Sequence, residues 1–152
     1  MKVYLVQHAE AKREEEDPAR PLSERGREQI RRVCEFLRGK GIRVAKILHS
    51  GKLRARQTAE ELARVIDSRE GLKEADGLAP LDDPGIWAER LAREQEDLML
   101  VGHLPHLEML AGLLLTGSRR KVVGFRMGGI VCLSRDAEGG WSLEWAITPD
   151  FC

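Results

Sequence analysis

Apolar residues in this chain fall into two kinds of pattern that take turns: short unbroken runs, and longer segments with apolar positions three and four apart. Buried strands followed by amphipathic helices give this rhythm. Val3-Tyr4-Leu5-Val6 is the first run, and it breaks into the charged segment Glu10 to Asp17. A continuous run of this length reads as a central strand covered on both faces. Pro21-Leu22-Ser23 then supplies an N-cap, and Ile30, Val33, Cys34 and Leu37 recur at helical spacing until Gly39 and Gly41 end the turn. Val44 to Leu48 forms a second strand, and Leu53, Ala55, Ala59, Leu62, Ala63 and Ile66 mark a second helix with Arg54 in its first turn. Asp83-Pro84 opens a third helix through Ile86, Trp87 and Leu91, with proline in the first turn. Leu98 to Val101 is another continuous apolar strand, ending at Gly102-His103, and Pro105 starts a helix carrying Leu107, Leu110, Ala111 and Leu114. Gly129 to Leu133 and Trp141 to Ile147, on either side of Ala137-Glu138-Gly139-Gly140, read as a β-hairpin.

The pattern predicts four strand-then-helix units with no repeat or linker between them, and so one α/β domain over residues 1–152. The expected architecture is a three-layer sandwich: a mostly parallel central sheet flanked by helices, with the C-terminal hairpin adding antiparallel strands to one edge. A chain of this size buries about 70% of its unfolded surface, so no cofactor is needed to hold the fold together.

Composition narrows the function classes. Lys plus Arg and Asp plus Glu are equal at 25 each and the pI is near 6.9, so no net field favours nucleic acid or an anionic membrane. Any anion site must be local. Cys34, Cys132 and Cys152 are odd in number, widely spaced and free of C-x-x-C, which argues against a disulfide framework and leads us to expect reduced thiols, two of them in the core. The most apolar later stretch, Met109 to Leu115, is too short to span a bilayer, and no signal-peptide pattern is present, so a cytoplasmic location is expected. The sequence contains no Asn and is one-third charged, a balance that matches heat-adapted proteins.

If the strands beginning at Val3, Val44 and Leu98 run parallel, then His8, Ser50 with Arg54, and His103 all emerge on one edge of the sheet, where α/β proteins hold ligands. Two imidazoles and a guanidinium facing one crevice suit a phosphoryl group: arginine offers a planar fork of donors to its oxygens, and neutral imidazole can act as nucleophile. Taken singly, each has a plainer reading as a satisfied polar group or a solvated helix face. Arg27, Arg31, Arg32 and Arg64 stay in that class. His49 is read as structural, while His106 either lines the crevice or faces solvent. A zinc site of His8, His49, His103 and His106 lacks an H-E-x-x-H spacing and would place a cation beside arginines, so no metal is expected.

The strings Leu5-Val6-Gln7-His8-Ala9-Glu10, Arg20-Pro21-Leu22-Ser23, Leu53-Arg54-Ala55-Arg56-Gln57-Thr58-Ala59 and Gly102-His103-Leu104-Pro105 together resemble the histidine phosphatase superfamily. All four fall in that family's order. The short stretch between the second helix and the Gly-His strand looks most like the SixA-type phosphohistidine phosphatases. The resemblance implies that His8 attacks phosphorus to give a phosphohistidine enzyme, that Arg54 and Arg20 hold the phosphoryl oxygens, and that His103 is a further donor opposite His8. It implies no cofactor. His8 then needs a free lone pair, with a backbone acceptor on its other nitrogen fixing the tautomer. Gln7 stands where the family usually has Arg, which removes a charge-assisted contact worth about 1.5–3 kcal/mol and predicts weaker phosphate binding. Gly51 stands where many relatives have Pro, and Ala9 where the triplet has Gly.

The leaving group separates substrates. An alkoxide needs a proton donor, whereas imidazole, with a pKa of about 6.5, departs with far less help. A site without a general acid therefore favours P–N cleavage, with a phosphohistidine-bearing protein such as a phosphotransfer domain as partner and a role in signal transduction. If Glu74 or Asp76 reaches the pocket as general acid, a small phosphate ester becomes the substrate instead. A non-catalytic phosphate or phosphoprotein-binding module, with Gln7 marking decay, is the third expectation.

Overall fold

A computed structural model describes residues 1–152. Alternation along the first strand, β1 (Lys2–Gln7), organises the molecule: Val3 and Leu5 enter one core, Tyr4 and Val6 the other. Successive side chains of a strand point to opposite faces, so a strand buried on both sides has no polar positions and reads as an unbroken run. The second buried strand, β6 (Leu98–Gly102), does the same, with Leu98 and Leu100 on one face and Met99 and Val101 on the other.

Helix α1 (Glu24–Leu37) is capped by Ser23, whose hydroxyl accepts the Gly26 N–H, and it stops where Gly39 and Gly41 take positive φ. Strand β3 (Lys46–His49) leads to α2 (Leu53–Leu62), β5 (Leu72–Glu74) to α3 (Pro84–Arg93), and β6 to α4 (His106–Thr116). Ile30, Val33 and Leu37 of α1 pack with Ala55, Ala59 and Leu62 of α2 on one face of the sheet, while Trp87 and Leu91 of α3 pack with Leu107 and Leu110 of α4 on the other. Three layers result. The six-stranded sheet has the order β5-β3-β6-β1-β7-β8, where β7 is Ile130–Arg135 and β8 is Trp141–Ile147. The four strands from β5 to β1 are parallel, and the hairpin β7–β8 adds its antiparallel strands beside β1.

Two local departures from the sequence pattern have physical causes. The run Val44 to Leu48 is not one strand: Val44 belongs to β2 (Arg43–Val44), which pairs with β4 (Asp67–Ser68) outside the main sheet. Ala45 and Ile47, two residues apart, enter opposite cores, so the alternation slips by one residue between them, and the Ala45 N–H is taken by the Asp97 carbonyl. The second helix ends at Leu62, and Ile66 reaches the same core from the turn beyond it. Cys34 and Cys132 are buried and Cys152 is half-buried, all as free thiols. No helix is long and apolar enough to cross a membrane.

Candidate active site

Strand order decides which side chains meet. Because β6 lies between β1 and β3 and all three run parallel, the residue that follows β6 stands between those that follow its neighbours. His103 is accordingly flanked by His8 on one side and Ser50 on the other. The His8 and His103 rings lie 5.0 Å apart between centroids, and His103 Nε2 is 2.6 Å from Ser50 Oγ. The His8 N–H continues the ladder, donating to the Gly102 carbonyl at 3.0 Å.

His8 is 9% exposed, and its Nδ1 lies 2.7 Å from the carbonyl oxygen of Ala9. A carbonyl can only accept, so Nδ1 carries the proton and Nε2 is left with its lone pair. Burial, together with the nearby Arg54 and Arg20 guanidiniums, pushes the His8 pKa down to about 4 against the opposing pull of the Ala9 carbonyl. His103 is pushed down to about 3 by burial and by His8, Arg54 and Lys52. Both rings are neutral at ordinary pH.

Arg54 stands in the first turn of α2, its Nε buried without a partner, and burial and the adjacent Arg20 hold its pKa below the usual arginine value. Arg20 has φ 50°, the left-handed region where non-glycine residues are uncommon, and its Nε donates to the Lys12 carbonyl at 3.0 Å. Two guanidiniums are thus gathered beside two neutral imidazoles. Neither α2 nor α4 has a side chain capping its N-terminus, so both add positive potential at this edge of the sheet. Such an arrangement attracts a compact polyanion and offers it a nucleophile.

The remaining residues of the motifs hold this geometry. Thr58 accepts the Ala9 N–H at 3.0 Å and donates to the Arg54 carbonyl at 2.8 Å, tying the residue after His8 to the turn that carries Arg54. Gln57 accepts the Leu22 N–H at 2.8 Å, which pins the Arg20 loop to the same helix. Ser23 donates to Glu10, and α1 passes so close that a Cβ on Gly26 would sit 1.9 Å from the Glu10 carbonyl oxygen. Sequence reasoning placed Ser50 at this edge without a role of its own and assigned none to Gln57 or Thr58, although both lie within the quoted strings.

Gln7 lies at the end of β1 with its Oε1 buried and unpartnered. Glu74 ends β5 in register with His49, and its carboxylate packs against the Ser50-Gly51 turn, filling space that a Cβ on Gly51 would need. Gly51 also has φ +90°, so glycine meets two demands there. Asp76 is exposed and meets the fold through its backbone, whose carbonyl accepts from Trp87 Nε1 at 2.9 Å. His49 accepts the Gly51 N–H at 3.1 Å and so supports the turn. His106 is buried rather than solvent-facing, its ring beside the Gly77 backbone. No group of three or more His, Cys, Asp or Glu side chains is disposed to hold a metal ion. Five surface cavities are lined by residues other than His8, Arg20, Arg54 and His103.

The chain is similar to known proteins in sequence and in fold. The model of the histidine phosphatase superfamily (branch 1) matches residues 3–80. The phosphohistidine phosphatase SixA of Escherichia coli is 25% identical over 154 residues, which cover 98% of this chain and 94% of that protein. An uncharacterised protein of a Picosynechococcus species is 33% identical over 144 residues, covering 90% of this chain and 87% of its own. Among solved structures, that of the protein histidine phosphatase SixA complexed with tungstate superposes with a TM-score of 0.86 at 24% identity, over 99% of both chains, a likeness of fold.

Proposed function

The chain belongs to the histidine phosphatase superfamily, and on that premise we propose that it removes the phosphoryl group from phosphohistidine on a protein, through a covalent phosphohistidine at His8. The observation that carries this reading is the Nδ1 of His8 held on the Ala9 carbonyl at 2.7 Å, because it frees the Nε2 lone pair for attack. In the first step that lone pair forms a bond to phosphorus as the bond from phosphorus to the substrate imidazole breaks. The substrate ring, protonated by solvent on its distal nitrogen beforehand, departs as neutral imidazole. Water then attacks the phosphoryl group on His8, releasing inorganic phosphate and restoring the neutral ring. Arg54 and Arg20 hold the phosphoryl oxygens, Gln7 adds an amide donor, and His103 donates to the charge that builds up on them.

Two further points support a protein substrate. The chain aligns over nearly its whole length with a phosphohistidine phosphatase, and His8 lines none of the five cavities described, as suits a shallow site for a folded phosphotransfer domain. Such a substrate would put the protein in phosphohistidine signal transduction in the cytoplasm.

Glu74 motivates a second reading. Its carboxylate lies against Gly51, next to the Ser50 that touches His103, and a rotation toward the phosphoryl group would supply the acid that an alkyl ester needs. Asp76 is the weaker candidate, being held by its backbone alone. The deciding experiment compares phosphate release from a phosphohistidine-bearing phosphotransfer domain, an aryl phosphate and an alkyl phosphate, in wild type and in Glu74→Gln. Fast P–N cleavage with slow alkyl-ester turnover, both unchanged in Glu74→Gln, is expected. Alkyl-ester turnover as fast as P–N cleavage and lost in Glu74→Gln would make the protein a small-molecule phosphomonoesterase.

A further inference from the structure

We propose that Ser50 is a positioning residue whose hydroxyl donates to His103 Nε2, so that neutral His103 carries its proton on Nδ1 and presents that N–H to the phosphoryl group. The orientation of the Ser50 hydroxyl follows from its neighbours. The Lys52 N–H donates to Ser50 Oγ at 3.3 Å and occupies one lone pair, and His103 Nε2 lies 2.6 Å away. A hydroxyl has one proton, and here Nε2 is the acceptor within reach. The reverse arrangement, with Nε2–H donating to Ser50, would leave the hydroxyl proton to solvent and would turn a bare Nδ1 lone pair toward the oxygens of an anion. With an oxyanion at Nδ1, the first arrangement pairs every group.

Nδ1 of His103 is buried and has no partner in the protein. Buried polar groups are almost always paired, so an unpaired one beside the nucleophile is matched to a ligand. That the ligand is a phosphoryl group rests on the phosphatase reading. The two imidazoles then share one tautomer but present opposite nitrogens. His8 turns its Nδ1–H to the Ala9 carbonyl and keeps a lone pair for attack, whereas His103 turns its lone pair to Ser50 and keeps an N–H for stabilising charge. Strand order makes this possible, since β3 brings Ser50 to the side of β6 away from His8.

The test is long-range 1H–15N NMR of histidine-labelled protein at neutral pH, free and with tungstate as a tetrahedral oxyanion, together with turnover of a phosphohistidine substrate. In wild type, His103 is expected as the Nδ1–H tautomer, with its Nδ1 resonance moving on tungstate addition. In Ser50→Ala the tautomer should become mixed and kcat should fall about tenfold, the scale of one lost hydrogen bond, with KM within about twofold. Ser50→Thr should restore both, and unchanged His8 resonances report an intact fold. An Nε2–H tautomer in wild type, or wild-type kcat in Ser50→Ala, would overturn the proposal. The tautomer is read without turnover, so a failure of the phosphatase reading shows separately, as absent phosphate release with His103 still Nδ1–H.

Discussion

The two ends of the parallel strands differ in kind. At their N-terminal end lies a cavity of about 580 Å3, walled by Tyr4, Phe36, Ile42 and Trp145 and rimmed by Lys40 and Arg43. At their C-terminal end His8, Arg20, Arg54 and His103 line none of the five cavities described, yet Gln7 Oε1, Arg54 Nε and His103 Nδ1 are buried there without partners. Room and unmet hydrogen-bonding capacity thus lie at opposite ends of the parallel strands. The N-terminal cavity is walled by packed aromatics, with the Tyr4 and Trp145 rings 5.9 Å apart and Lys40 over the Phe36 ring. Its phenol is held neutral, since burial and the nearby Cys132 and Asp97 push Tyr4 up to about 12. The C-terminal end instead gathers two cations, two neutral imidazoles and two helix starts without a capping side chain.

The sharpest way to break this contrast is His8→Ala, which should lower phosphohistidine hydrolysis by about 10⁴-fold or more, as loss of a nucleophile does. Residual turnover near wild type would move the chemistry away from this edge. Arg54→Ala comes next: kcat/KM should drop by about 10²-fold, in line with losing a charge-assisted contact to an anion, and a change under about threefold would remove Arg54 from the phosphate cradle.

The pH profile sharpens the comparison, because an exposed imidazole would titrate at about 6.5. With His8 at about 4, kcat/KM should stay flat from neutrality to about pH 5 and fall below that, and a midpoint near 6.5 would mean that His8 is not buried as described. Stability follows the same sign. Folding holds both imidazoles neutral, so the unfolded chain binds more protons between the ordinary and the lowered values. The contribution is present above the ordinary pKa and is lost as pH falls through about 4 for His8 and about 3 for His103, which urea titrations at stepped pH would follow.

A smaller effect is expected from Gln7→Arg, which should tighten inorganic phosphate binding about tenfold by restoring a charge at position 7. No change would take Gln7 out of the site. Smallest of all, Lys40→Ala at the opposite end should leave kcat/KM within about twofold of wild type. A larger loss would show that the N-terminal cavity acts on the catalytic edge.

Much of the fold was legible in local pattern. Val3 to Val6 and Leu98 to Val101 could be read as doubly buried strands because each residue reports its own burial, and Ser23 and Asp83 could be read as caps because a cap is satisfied within three residues. Four strand-then-helix units were expected, yet the strand ahead of the third helix could not be located: Leu72-Lys73-Glu74, β5, is too short and too polar to register, and it forms because β3 offers it an edge. The break at Ala45 was hidden for a related reason, since a slip between faces leaves an apolar run looking continuous.

The candidate site divides the same way. The types and order of residues, with His8 and His103 after buried strands and Arg54 in the first turn of a helix, are properties of the chain in one dimension, and the sequence determined them by itself. Their partners are not. That β6 enters between β1 and β3, that His103 therefore meets Ser50 as well as His8, and that Gln57 and Thr58 clamp two distant loops to one helix turn were decided by tertiary structure. The physical reason is that a hydrophobic pattern specifies how deeply a segment is buried, whereas the partner of a hydrogen bond depends on which segments the whole core brings side by side.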